Sequence, residues 1–69
     1  MENWQKQVLT EKFNLAKKID KLDKYINVPG FETLPDPERL LLNLQLNVMT
    51  TYHTILNWRT KLFTTSLSD

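Results

Sequence analysis

Three polar-tipped residues spaced by seven, Gln45, Tyr52 and Arg59, carry most of the chemistry in this 69-residue chain, because they interrupt an otherwise apolar helical arc. A guanidinium can grip a phosphate, and a phenol ring can stack on a base. In a helical hairpin whose facing positions have numbers summing to about 64, Lys12 faces Tyr52, Ile19 faces Gln45, and the region of Trp4 faces Arg59. Duplicated in a second copy, Lys12, Tyr52 and Arg59, with Lys18 as a further cation, line a pocket between protomers suited to a nucleotide. The same residues also support a plainer arrangement in which Tyr52 and Lys12 snorkel, Arg59 covers Trp4, and Gln45 fixes register. Sequence leaves both open.

The usual catalytic constellations are missing. The chain has no cysteine, one glycine and one histidine, so it offers no thiol nucleophile, phosphate-cradling loop or Cys/His spacing for a metal. His53 sits at the edge of a polar arc that also holds Asn43, Asn47, Asn57 and Lys61, and it reads as an exposed, structurally neutral residue. No enzyme activity and no cofactor are expected.

The elements that must position these residues are two helices. Trp4, Val8, Leu15, Ile19, Leu22 and Ile26 fall within about 60° on a helical wheel and predict a helix over 3–26 with a narrow apolar seam. Leu9, Phe13 and Ala16 lie off that seam, either as a second contact patch or as scattered exposed apolars. Pro29 disfavours helical geometry at Val28, and Gly30 suits the φ > 0 position of a type II turn. Phe31 and Leu34 then fold back over the end of a connection spanning 27–36. Asp36 reads as an N-cap with Pro37 at the first helical position and Glu38 in the first turn, opening a helix over 37–63. A polar tail, 64–69, closes the chain. The fold expected is all-α, a single-domain antiparallel two-helix hairpin.

The second helix is too apolar for that hairpin alone. Leu42, Leu46, Met49, Leu56 and Phe63 form one stripe, Leu41, Leu44, Val48, Ile55 and Leu62 another, and together they span roughly 200°, about twice the stripe of an ordinary surface helix. Pairing Leu22 with Leu42, Leu15 with Met49 and Val8 with Leu56 uses only the first stripe. The second is left for a neighbour, most economically another copy, so a homo-oligomeric helical bundle is expected. Trp58, at the far edge with Leu40 and Thr51, either packs in that assembly or anchors a foreign partner. A chain this short buries only about 60% of its unfolded surface, which makes self-association the remaining device for stability.

Nine Lys and Arg against eight Asp and Glu leave a net charge of +1, which argues against generic nucleic-acid binding. Six of the nine cations precede the turn, either as a solvated face or as part of an anion site where copies converge. No apolar run approaches the roughly 20 residues needed to cross a bilayer, and no leader pattern opens the chain, so a cytosolic protein is expected.

From Trp4 to Leu62 the chain resembles a family of very small phage and prophage proteins related to a protein of a crAss-like bacteriophage. The resemblance rests on the lysine-rich first helix, the turn Phe31-x-x-Leu34-Pro35, and then Leu41-Leu42-x-x-Gln45-Leu46-x-x-Met49-x-x-Tyr52-x-x-Ile55-Leu56-x-x-Arg59. Arg39 stands where that pattern has glutamine. The resemblance implies a phage accessory protein acting in the host cytosol. Phage anti-CBASS sponges, which bind cyclic nucleotides between oligomerised helical hairpins, look like relatives. The resemblance thus implies sequestration of a nucleotide-derived immune signal, and the residue pattern, not the resemblance, offers Lys12, Lys18, Tyr52 and Arg59 as its contacts. The alternatives are a protein-binding inhibitor of a host defence or regulatory protein, using Trp58 and the second stripe, and a purely structural assembly protein.

Overall fold

The computed structural model describes residues 2–67, with side chains through residue 64. Helix α1 runs Asn3–Ile26, a 3₁₀ turn covers Phe31–Thr33, and helix α2 runs Asp36–Leu67, packed antiparallel into a rod of 52 × 16 × 14 Å. No strand occurs among the described residues.

Each end of α1 has a local cause. Its start is held by the Gln5 side-chain oxygen, which accepts from the Glu2 N–H at 2.8 Å, one of the donors a helix start leaves unsatisfied. Its end is closed by Asn27, whose side-chain amide donates to the Asp23 carbonyl at 2.7 Å. The Phe31 N–H then donates to the Val28 carbonyl at 3.2 Å, closing a turn with Pro29 and Gly30 at its centre. Gly30 has φ 96°, the left-handed conformation a type II turn requires at its third residue. A Cβ added there meets nothing within 4 Å, so the cost of Gly30→Ala is conformational alone. The variant is expected to lose about 1 kcal/mol, read as a lower urea midpoint with unchanged helicity at low denaturant.

Helix α2 begins differently from the sequence expectation. The Pro35 carbonyl accepts from both Glu38 and Arg39 N–H groups, at 3.0 and 3.1 Å, so the helix opens one residue earlier. Asp36 lies inside the first turn, where its carboxylate pairs with the Arg39 guanidinium. An arginine three residues on draws the carboxylate along the helix face, and its charge still favours the helix start. At the other end α2 continues to Leu67, so the polar tail expected at 64–69 is helical for its first four residues. No glycine or proline follows Phe63 to stop it, and Thr64 donates its hydroxyl to the Thr60 carbonyl at 2.6 Å. Residues 68 and 69 lie outside the described residues.

The core is small. Val8, Leu15, Leu56 and Phe63 are buried, with Leu9, Ile19 and Met49 packed against them. Leu9 thus joins the core, while Phe13 stays exposed with the Lys17 ammonium 4.4 Å from its ring centre. Two edge-to-face aromatic pairs close the rod, Trp4 on Phe63 at 5.5 Å and Tyr25 on Phe31 at 6.2 Å. The ring beside Trp4 is therefore Phe63. The second stripe of α2 faces away from α1: Leu41, Leu44, Val48, Ile55 and Leu62 are all exposed in the hairpin. No described helix is long and apolar enough to cross a membrane.

Candidate functional site

Glu11 and Lys12 leave α1 about 100° apart, on either side of the line along which the helices meet, and this divides the hairpin into two different flanks. On one flank a cleft of about 530 Å³ runs between α1 and Tyr52. Its walls carry Lys6, Gln7, Thr10, Asn14 and Lys18, and Leu15 reaches it from the core. The Tyr52 hydroxyl donates to the Glu11 carboxylate, which ties the ring across the cleft from α2 to α1. Arg59 lies two turns further along the same face of α2.

That tie alters the phenol. The hydrogen bond to Glu11 raises the Tyr52 pKa above its ordinary 10.0, partial burial and the Glu11 charge add to the rise, and the Arg59 charge opposes it. Because the folded pKa is the higher one, the stability linked to this group is present below the ordinary tyrosine pKa and is lost as pH rises through the folded value. In a Tyr25→Phe background, the ultraviolet titration of Tyr52 is expected to fall above that of a free tyrosine amide. Glu11→Ala should bring it back down; an unchanged midpoint in that variant would show that Glu11 is not the cause.

The second flank is different. Lys12 is half-buried and donates to the Thr60 hydroxyl at 3.5 Å, beside a shallower depression lined by Leu9, Phe13, Ala16 and His53. Thr60 is itself buried and donates to the Asn57 carbonyl at 2.8 Å, so its oxygen is satisfied on both counts. His53 is half-buried on this flank rather than exposed. The structure therefore brings Tyr52 and Lys18 to one cleft, sets Arg59 on the same face, and puts Lys12 on the other flank. Facing positions summing to about 64 put Lys12 on Tyr52, whereas the helices are rotated so that Glu11 meets it.

The cleft's further polar residues did have a signal in sequence. Gln7, Glu11, Asn14 and Lys18 follow spacings of four, three and four, which places them on one polar line of α1. Chemically, two ammonium groups, amide and hydroxyl donors, a carboxylate acceptor and an aromatic ring make a site for a planar ring carrying both an anionic group and hydroxyls. Glu11 disfavours a bare phosphate beside Tyr52 and favours a hydroxyl or ring N–H there. Among the described residues no cluster of three or more His, Cys, Asp or Glu side chains is placed to hold a metal ion.

No curated protein and no solved structure is significantly similar to the chain. A family model does match, and it covers α1, the turn, α2 as far as Leu62, and every residue of the cleft from Lys6 to Tyr52: described as Sequestin, it spans residues 2–62, and the chain belongs to the Sequestin family.

Proposed function

We propose that this chain is a non-enzymatic phage accessory protein of the host cytosol that counters defence by binding a nucleotide-derived immune signal, a cyclic nucleotide, at the interfaces of a homo-oligomer. The family name, Sequestin, describes a sequestering role and supports the binding half of this reading. One observation carries the choice of ligand: an aromatic ring held by Glu11 across a cleft whose walls present Lys6 and Lys18. A base stacks on Tyr52, lysines neutralise phosphate, and Glu11 accepts from a ribose hydroxyl or base N–H. Arg59 extends the same face toward a second phosphate. Lys12 contributes only where another copy lays its opposite flank over the cleft. Equilibrium binding of a panel of cyclic mono-, di- and trinucleotides to the full chain tests the reading. At least one should bind with an affinity that falls on raising salt; no binding across the panel would contradict it.

The protein-binding alternative also has an observation behind it, since Trp58 is 60% exposed at the edge of the uncovered stripe. A Trp58→Ala variant that loses a host partner while keeping its nucleotide affinity would favour that reading. A chain that assembles but binds neither class of partner would have a structural role.

A further inference from the structure

We infer that a second copy of this chain packs on α2 as an antiparallel coiled coil along Leu44, Val48, Thr51, Ile55, Trp58 and Leu62, and that this pairing puts the partner's Arg59 beside Gln45 of the first copy. The inference shares self-association with the proposed function but needs no nucleotide. These six positions are spaced four, three, four, three and four, the alternation of a coiled-coil seam, and Leu41 continues it by three more. The seam lies on the side of α2 that α1 leaves uncovered, with Val48 at 67% and Ile55 at 50% exposure.

Three features specify the occupant as the chain itself, running antiparallel. Residues 40–58 contain no charged side chain, and the cations of this face, Arg59 and Lys61, lie at one end of it, where the Lys61 ammonium is 4.9 Å from the Trp58 ring centre; an antiparallel copy sets each charged end against a neutral one, whereas a parallel copy would bring like charges together. A largely apolar depression on this face is lined by Asn47, Val48, Thr51, Tyr52 and Ile55, the last four of which stand in the i, i+3, i+4, i+7 arrangement that receives a knob from a facing helix. The Thr51 hydroxyl donates to the Asn47 carbonyl at 3.0 Å, so this residue can be covered without leaving a polar group unsatisfied. In antiparallel register Val48 meets the partner's Trp58, Thr51 meets the partner's Ile55, and Leu44 meets the partner's Leu62. The larger Trp58 and Ile55 then face the smaller Val48 and Thr51, and the partner's Ile55 fills the depression. A parallel pair instead stacks Trp58 on Trp58 and Thr51 on Thr51.

The consequence for the cleft follows from the same spacing. Gln45, Tyr52 and Arg59 each follow a seam position by four or by one, so they flank the seam on the side facing α1. Across an antiparallel axis near residue 53, Tyr52 approaches its own symmetry mate, and Gln45 approaches the partner's Arg59. The clefts of the two copies become one groove, floored by two tyrosines and walled by lysines of both first helices.

The chain has no cysteine, which makes cysteine pairing a clean test. Val48→Cys and Trp58→Cys variants are purified separately, oxidised alone, and oxidised as an equimolar mixture, with helicity checked by circular dichroism. The antiparallel seam predicts a disulfide-linked dimer in the mixture, and little in either variant alone, because a self-pair is then about ten helical residues, or ~15 Å, apart. Efficient self-linkage of Val48→Cys would establish a parallel pair and overturn the inference. So would failure of every sample to link together with a monomeric mass for the unmodified chain in light scattering. Linkage in the mixture by a protein that binds no nucleotide leaves this inference standing and removes the proposed ligand, while nucleotide binding without linkage does the reverse.

Discussion

Tyr52→Ala is expected to weaken nucleotide binding by about tenfold to a hundredfold, since stacking a base on an aromatic side chain is worth about 1–3 kcal/mol. Isothermal titration with the tightest ligand of the panel measures it. Tyr52 is part-exposed and outside the hairpin core, so helicity should not change. Tyr52→Phe separates the ring from its hydroxyl. It keeps the stacking face, loses the hydrogen bond to Glu11, and should cost less than Tyr52→Ala. Lys18→Ala should act in another way, lowering affinity at low salt and flattening its salt dependence, as removal of a phosphate contact does. Because Tyr52 also borders the proposed seam, the mass of each variant must be measured beside its affinity. Loss of ligand from an intact oligomer supports the site; dissociation of the oligomer by Tyr52→Ala would make the residue an interface contact first.

The largest expected effect on stability is at Leu56, the one described side chain that is wholly shielded from water. Leu56→Ala removes the centre of a core of four buried apolar residues, and such truncations cost about 2–5 kcal/mol. A domain of this size is stable by only about 3–10 kcal/mol, so the cooperative thermal transition should fall steeply or vanish. Ile55→Ala is the contrasting variant. One residue away, Ile55 is half-exposed and lies outside that core, so its loss should leave the hairpin's own packing intact. If the oligomer supplies much of the stability, however, Ile55→Ala will melt lower in a concentration-dependent way, whereas Leu56→Ala will melt lower at every concentration. Thermal melts at several protein concentrations distinguish the two.

Helical periodicity made the hairpin legible in the amino-acid sequence, because a strict apolar seam on the first helix needs a matching stripe on the second and a short break between them. The uncovered stripe was legible for the same reason: two apolar stripes cannot both face one thin helix. The finer placement was not. Whether Glu11 or Lys12 meets Tyr52 depends on a rotation of α1 smaller than the 100° between successive residues, and adding residue numbers across a hairpin cannot resolve it. Asp36 misled for a related reason, since a carboxylate just before proline has the chemistry of an N-cap, but Arg39 competes for it as an ion-pair partner. Helix α2 outruns its expected end because polarity alone does not stop a helix, and threonine hydroxyls can fold back onto carbonyls of the preceding turn. Thr50, Thr51, Thr54 and Thr64 all do so.

The two uses of Tyr52 are compatible in physical terms. A residue at the margin of a seam is ordered by the assembly without being filled by it, and its free face is then preorganised for a ligand. Ordering before binding lowers the entropy a ligand must overcome. A short hairpin with so small a core could hold a signal tightly only if assembly supplies that order.

Native mass spectrometry of the full chain, purified gently from cells in which cyclic-nucleotide defence signalling is active, reads sequestration itself. The expected species is a homo-oligomer carrying an added mass of nucleotide size that is released on denaturation and fragments to base and phosphate. An oligomer that stays free of any adduct, even after incubation with the cyclic-nucleotide panel, would contradict it.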